Sequence, residues 1–238
     1  MIKRSLLVLL GVAMVGAATL TAVSAPRAAA APGCADVEVV FARGTAEPAP
    51  RLGLTGIAFV EALRAQLPGK SVRAHGVNYP ASSDFGNRLA FAQTVVNGVN
   101  DTQSRVKYLA ATCPRTKVVL GGYSQGAVVA GYAANAGISL PPQYARYTSK
   151  IPPPLPSGAA DQVAAIVMFG PPSDRWLRDV DAPPVKIDPR LTTRTTRYCI
   201  AGDTICNGAP VGQPNGLHVL YTVNGMAIDA ARYAAARI

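Results

Sequence analysis

The run Gly122-Tyr123-Ser124-Gln125-Gly126 places the tightest constraint on this chain. It reads G-x-S-x-G. The short apolar run Val118-Val119-Leu120 precedes it, and a stretch of helical spacing over residues 127–136 follows. A serine held on so sharp a strand-to-helix turn needs neighbours without a Cβ, because strand and helix must approach closely there. The turn lifts Oγ clear of the sheet and points the helix N-terminus at any oxyanion formed beside it. An ordinary Gly/Ser turn can carry the same letters. The strand before it and the helix after it are what set this one apart.

The rest of the chain alternates in the same way. Strands are predicted over residues 37–41, 72–77, 117–123, 163–169 and 196–200. Helices are predicted over 55–67 (closed by Pro68-Gly69), 87–111 (closed by Cys113-Pro114), 127–136 and 222–237. Strands alternating with helices imply an α/β fold: a central, mainly parallel sheet flanked by helices on both faces. Such a sheet takes its ligands beyond the carboxyl ends of its strands. Two proline-rich stretches, 137–160 and 171–194, read as loops inside one domain, because strands continue after each. The helix after Ser124 runs back toward the amino edge, so 137–160 starts away from the chemistry. Residues 171–194 emerge at the catalytic edge and carry Trp176 and Leu177.

The N-terminus reads as a targeting segment. Lys3 and Arg4 precede an unbroken apolar stretch over 6–18, and four alanines at 28–31 offer small-residue cleavage sites. We therefore expect residues 1–31 to be a signal peptide, residues 32–238 to be the domain, and the product to be secreted or wall-associated. Removing 1–31 takes away Lys3, Arg4 and Arg27 and no acid, so the net charge of +10 falls to +7. That charge favours association with an anionic cell envelope. No Lys/Arg-rich run or interleaving of aromatic and basic residues points to nucleic acid. Nothing in the sequence calls for a partner subunit, and a monomer is expected.

All four cysteines, Cys34, Cys113, Cys199 and Cys206, lie beyond residue 31. An even number in an exported chain favours disulfides, with three possible pairings. Cys199 and Cys206, seven apart, read as a local clip, which leaves Cys34 with Cys113. No Cys-x-x-Cys pair is present and there are only two histidines, so zinc is not expected.

A serine nucleophile needs a base. His75 precedes Ser124 and lies in a predicted strand, so it reads as structural. His218 lies in the loop entering the last helix, and it follows Ser124 in the Ser–acid–His order of an α/β-hydrolase. The acid then falls between them. Asp161 precedes a strand and so sits at the wrong edge. Asp174, Asp179, Asp181 and Asp188 lie in a loop that reads as solvated surface. Asp203 directly follows a strand and lies inside the Cys199–Cys206 clip, and such rigid support is what a carboxylate holding an imidazole in one tautomer requires.

Phe41-Ala42-Arg43-Gly44-Thr45, the G-x-S-x-G run, Cys199-x-x-x-Asp203-x-x-Cys206 and His218-Val219-Leu220-Tyr221 together resemble the cutinase family. The closer likeness is to its secreted mycobacterial and actinobacterial carboxylesterases. The resemblance implies an α/β-hydrolase fold with a lidless or weakly covered site. It implies Ser124 as nucleophile, Asp203 as acid and His218 as base, with the backbone N–H groups of Thr45 and Gln125 as the oxyanion hole. It also implies the disulfides Cys34–Cys113 and Cys199–Cys206. Residues 137–160 are longer than in compact fungal cutinases and the last loop differs, so hydrolysis of cutin itself does not follow.

The chemistry is then ester hydrolysis through an acyl-enzyme, with no cofactor and no metal required. An apolar rim of Tyr79, Phe85, Trp176, Val211 and Leu217 is expected to take the acyl chain of a lipid or other ester substrate. A phospholipase or an acyltransferase acting on envelope lipids would use the same residues. A secreted binding protein on an inactive hydrolase fold would lack a triad member, and none is missing.

Overall fold

A computed structural model describes residues 33–48 and 50–238. The expected signal peptide therefore lies outside the described residues. Among them, no helix is long and apolar enough to cross a membrane.

The chain runs β1 (Val37–Ala42), α1 (Gly53–Gln66), β2 (Val72–Gly76), α2 (Arg88–Thr112), β3 (Lys117–Tyr123), α3 (Gln125–Ala133), α4 (Ser157–Asp161), β4 (Val163–Phe169), α5 (Asp174–Asp179), β5 (Thr195–Tyr198) and α6 (Met226–Ala235). Short 3₁₀ segments cover Pro142–Lys150, Thr192–Arg194 and Gly216–Thr222. The strands form one sheet, ordered β2-β1-β3-β4-β5, and every pairing is parallel. From β1 the chain steps outward to β2, and α2 then carries it back past β1 to β3. The winding direction reverses between β1 and β3, and ligands bind beyond the carboxyl ends of strands at such a switch point. Thr45 follows β1 there and Ser124 follows β3.

The three inner strands read VEVVFA, KVVLGGY and VAAIVMF, and apart from Lys117 they are buried throughout. They are near-continuous apolar runs because helices cover both faces. Val37, Val39, Phe41, Val119, Val167 and Phe169 face α1 and α6. Val40, Val118, Leu120, Ile166 and Met168 face α2 and α3. A register shift beside Val118 and Val119 places one extra residue, Ala164, in β4. That shift keeps Val163 on the α2 side and Ala165 on the α1 side, in step with their β3 partners. The edge strands β2 and β5 are partly exposed.

Glu38 is the one charge in the middle of this sheet, buried on the α2 face and held by both Arg105 Nε and Nη2. Cys34–Cys113 ties the entry of β1 to the end of α2, and Cys199–Cys206 closes the turn after β5.

The two proline-rich stretches contain more structure than expected. Residues 137–160 hold a 3₁₀ segment and α4, and Leu155, Ala159 and Ala160 are buried in the core under α2. Gln103 on α2 donates to the carbonyls of Ala133 and Pro153. Residues 171–194 hold α5, capped by Ser173. The stretches also meet. Ser139, Leu140 and Pro141 face Arg178 and residues 181–184 across a cleft, and Asn135 bridges to Ile187. The periodic signal of α4 and α5 was too short to see in sequence, at five and six residues.

Candidate active site

Ser124 stands between β3 and α3 with φ 54° and ψ −119°, a left-handed conformation rarely open to a residue with a Cβ. Surrounding contacts hold the strain. Its N–H donates to the carbonyl of Phe169 on β4. The two glycines of the motif allow the chain to pass. A Cβ on Gly122 would lie 2.0 Å from the carbonyl oxygen of Gly126, and one on Gly126 would lie 2.0 Å from that of Ala42. Both obstacles are backbone, so no side-chain rotation relieves them.

His218 meets Ser124 across 94 residues of sequence and Asp203 across 15. His218 Nε2 lies 2.9 Å from Ser124 Oγ, and His218 Nδ1 lies 2.8 Å from Asp203 Oδ2. Asp203 is fully buried and His218 nearly so. With a carboxylate at Nδ1, the network assigns the neutral ring's proton to Nδ1 and leaves the Nε2 lone pair facing the serine hydroxyl. Asp203 is itself fixed. Its Oδ1 accepts from the N–H of Ile205 at 3.0 Å, and its Oδ2 accepts a second bond from the hydroxyl of Tyr221 at 2.6 Å. Tyr123 donates to the carbonyl of His218 at 2.7 Å and lays its ring 5.1 Å from the imidazole. Burial, and then the nearby carboxylates of Glu47 and Asp203, push the Tyr123 hydroxyl well above its ordinary pKa. Burial and the bond to Asp203 do the same at Tyr221. Both phenols are therefore proton donors across the neutral range.

The other carboxylates between Ser124 and His218 stand on other elements, Asp174 in the first turn of α5. Asp161 ends α4 before β4, Asp179 accepts from the N–H of Val211, Asp181 pairs with Arg88, and Asp188 pairs with Arg190. His75 sits on β2 against Asp101, 3.0 Å away, apart from this site. Among the described residues no cluster of three or more His, Cys, Asp or Glu side chains is arranged to hold a metal ion.

Gln125 opens α3, and its N–H has no acceptor among the described residues, as expected for the first turn of a helix. Its side chain is buried and donates to the carbonyl of Ser82. The N–H of Thr45 likewise has no acceptor among the described residues. The loop carrying Thr45 is tightly braced. Glu47 Oε2 accepts from the N–H of Gly44 at 2.6 Å, and Oε1 from that of Leu54 at 3.0 Å. Arg43 donates to the carbonyls of Glu47, Tyr79 and Pro80, and its guanidinium lies over the Tyr79 ring. The N–H of Ala46 donates to the carbonyl of Ala81.

The expected rim is only partly assembled. Phe85 and Val211 are exposed, with Phe85 packed on Phe91, and Leu217 adjoins His218. Tyr79 departs from the expectation: it is buried, and its hydroxyl is bonded to the carbonyl of Arg43, so it braces the Thr45 loop instead of lining a rim. Trp176 on α5 is half-buried against the core under α2, with its indole nitrogen enclosed. Sequence reasoning missed Tyr123, Tyr221 and Glu47 as supports of the site. Tyr221 stood in the quoted His218-Val219-Leu220-Tyr221 run, but one 3₁₀ turn after a histidine carries no signal of its own.

The family model described as Cutinase matches residues 33–238. The chain belongs to the cutinase family. Among its cutinase-family relatives, Carboxylesterase Culp1 of Mycobacterium bovis is 38% identical over 244 aligned residues, covering 100% of this chain and 98% of that protein. Phospholipase Culp4 of Mycobacterium tuberculosis is 42% identical over 222 residues, covering 93% and 87%. Of solved structures, the cutinase of Trichoderma reesei in complex with a phosphonate inhibitor aligns with a TM-score of 0.61 at 30% identity, covering 84% of this chain and 75% of that one. An acetyl xylan esterase aligns with a TM-score of 0.65 at 25% identity, covering 86% and 99%. The five-stranded parallel sheet with helices on both faces is thus the α/β-hydrolase fold in its cutinase form.

Proposed function

We propose that this cutinase-family protein is a secreted serine esterase in which Ser124, His218 and Asp203 act as nucleophile, base and acid. The chain is a carboxylic ester hydrolase by family and by relatives named carboxylesterase across its whole length. The observation that carries the finer reading is the continuous path Ser124 Oγ–His218 Nε2, His218 Nδ1–Asp203 Oδ2, at 2.9 and 2.8 Å, on a strained turn at the switch point.

Ser124 Oγ attacks the ester carbonyl carbon while His218 Nε2 takes its proton. The carbonyl π electrons move onto oxygen, and the N–H groups of Thr45 and Gln125 donate hydrogen bonds to the oxyanion so formed. The tetrahedral species collapses, His218 returns the proton to the departing alkoxide, and an acyl-serine remains. Water then attacks the acyl carbon, losing a proton to His218; the bond from that carbon to Ser124 Oγ breaks, His218 returns the proton to Oγ, and the carboxylic acid leaves. Asp203 stays ionised throughout and steadies the imidazolium that forms at each step. The two disulfides and the net charge of +7 left after signal-peptide removal support an exported protein working as a monomer near an anionic envelope.

The Culp4 likeness favours a second reading, in which the ester is that of a phospholipid. Graded p-nitrophenyl esters assayed beside phosphatidylcholine vesicles separate the two. Ser124→Ala should lower kcat roughly a thousand- to a million-fold, as loss of a triad nucleophile does, with the fold retained. Stoichiometric labelling of that variant by a fluorophosphonate would show that the nucleophile lies elsewhere.

A further inference from the structure

Asp203 Oδ2 accepts two hydrogen bonds, from His218 Nδ1 at 2.8 Å and from the Tyr221 hydroxyl at 2.6 Å. The same hydroxyl accepts from the N–H of Ile200 at 3.1 Å, and its proton goes to the charged Asp203 Oδ2 at 2.6 Å and not to the neutral disulfide sulfur of Cys206 at 3.3 Å. Tyr221 is fully buried, its ring fixed against Phe169 at 6.3 Å and Tyr123 at 5.8 Å. Cys206 Sγ touches both oxygens, 3.2 Å from Asp203 Oδ2 and 3.3 Å from the phenol. Three points are thus linked at this carboxylate: Asp203 in the disulfide-closed turn, the N–H of Ile200 at the start of that turn through the phenol, and His218 on the 3₁₀ turn that also carries Tyr221.

Resting on the triad reading above, we infer that Tyr221 is a positioning residue that sets the pH range of the enzyme: by sharing Asp203 Oδ2 with His218, it limits how firmly the carboxylate holds a proton on the imidazole. A hydrogen bond to a carboxylate stabilises its charge and withdraws part of that charge from its other partner. With the phenol in place, the imidazolium is held less tightly and the neutral base is available at lower pH. Without it, all of the Oδ2 charge faces His218, the imidazole keeps its proton to higher pH, and the N–H of Ile200 loses its acceptor. The other titratable groups facing the pair are Ser124, Tyr123 on β3 and, through Tyr123, Glu47. None of these offers a hydrogen to Asp203, so none replaces the phenol.

The experiment compares kcat/KM from pH 5 to 9 for the wild type, Tyr221→Phe, and a protein carrying 3,5-difluorotyrosine at position 221 alone. Each is first titrated with a fluorophosphonate so that rates refer to competent sites. The acid midpoint of Tyr221→Phe should rise by about half a pH unit or more, a fraction of the shifts that charge neighbours produce. Activity at pH 6 should fall about threefold or more beyond any fall at pH 8.5. The difluorophenol is a stronger donor and should move the midpoint the other way, and this variant decides the matter if Tyr221→Phe does not fold. Midpoints that coincide with the wild type, or that move in the same direction in both variants, overturn the inference while fluorophosphonate labelling leaves the triad reading standing. Failure of the wild-type protein to label at Ser124 would overturn the triad reading instead.

Discussion

The two disulfides should separate stability from activity. Cys34–Cys113 closes a sequence separation of 79 residues and Cys199–Cys206 one of 7. By the chain-entropy argument the long bridge is worth roughly 4–5 kcal/mol and the short one roughly 2–3 kcal/mol. On stability alone, Cys34→Ser with Cys113→Ser is the more damaging pair. The order reverses for catalysis. Asp203 lies inside the short loop, and its Oδ2 is 3.2 Å from Cys206 Sγ. The turn is held further by Asp203 N–H to the carbonyl of Ile200, and by the N–H groups of Cys206 and Asn207 to the carbonyl of Asp203. Opening the clip lets a carboxylate drift that must stay within hydrogen-bond reach of His218. A displacement near 1 Å costs on the order of a hundredfold in rate. The long bridge joins β1's entry to the end of α2, at the opposite edge of the sheet from Ser124. Urea midpoints and kcat on a short-chain p-nitrophenyl ester, per fluorophosphonate-titrated site, measure both quantities on the same samples. Cys199→Ser with Cys206→Ser should lose tenfold or more in kcat with the smaller stability loss. If that variant keeps wild-type kcat, or is the less stable of the two, the assignment of roles is wrong.

Other outcomes follow from the same geometry. Glu47→Gln keeps one carbonyl oxygen where two carboxylate oxygens bind the N–H groups of Gly44 and Leu54, so it should cost about 1–3 kcal/mol. Because the Thr45 loop loosens with it, kcat should fall more than KM rises, and unchanged kcat would show that this bracing is idle. Gly126→Ala drives a methyl group into two backbone carbonyls and should destabilise by more than about 3 kcal/mol. Gly137→Ala, with nothing within 4 Å of the new methyl, should be neutral in the same melting assay. Leu155→Ala should cost about 2–5 kcal/mol as a core truncation while leaving acyl-chain preference unchanged. Trp176→Ala tests the catalytic-edge loop, and a shifted chain-length profile is the expected result.

Much of the fold was legible because it rests on local pattern. The inner strands are buried on both faces, so β1, β3 and β4 show as continuous apolar runs, and the expected bounds of β3 and β4 matched to the residue. The longest helix, α2, was recognisable from spacing and is capped by Asn87 where the periodicity begins. The end of the chain was less clear. The predicted last helix over 222–237 is shortened to α6 (Met226–Ala235): a 3₁₀ segment ends at Thr222, and Gly225 turns the chain with φ 90° before α6 begins. At the site, G-x-S-x-G and the chemical order of acid and base singled out residues that the fold brings within hydrogen-bond distance.

What the sequence determined by itself is what short-range physics enforces: which runs can be buried, where a Cβ cannot fit, and which residue types can take and return a proton. The supports of the site came only with tertiary structure. Tyr221 reaches Asp203 across 18 residues, Tyr123 reaches the carbonyl of His218 across 95, and Tyr79 reaches the carbonyl of Arg43 across 36. A tyrosine's letter is the same whether its hydroxyl faces solvent or a buried carboxylate. Only the packing of β3, the β5 turn and the last 3₁₀ segment at one sheet edge decides which, because a buried polar atom must find its partner wherever the fold brings one within reach.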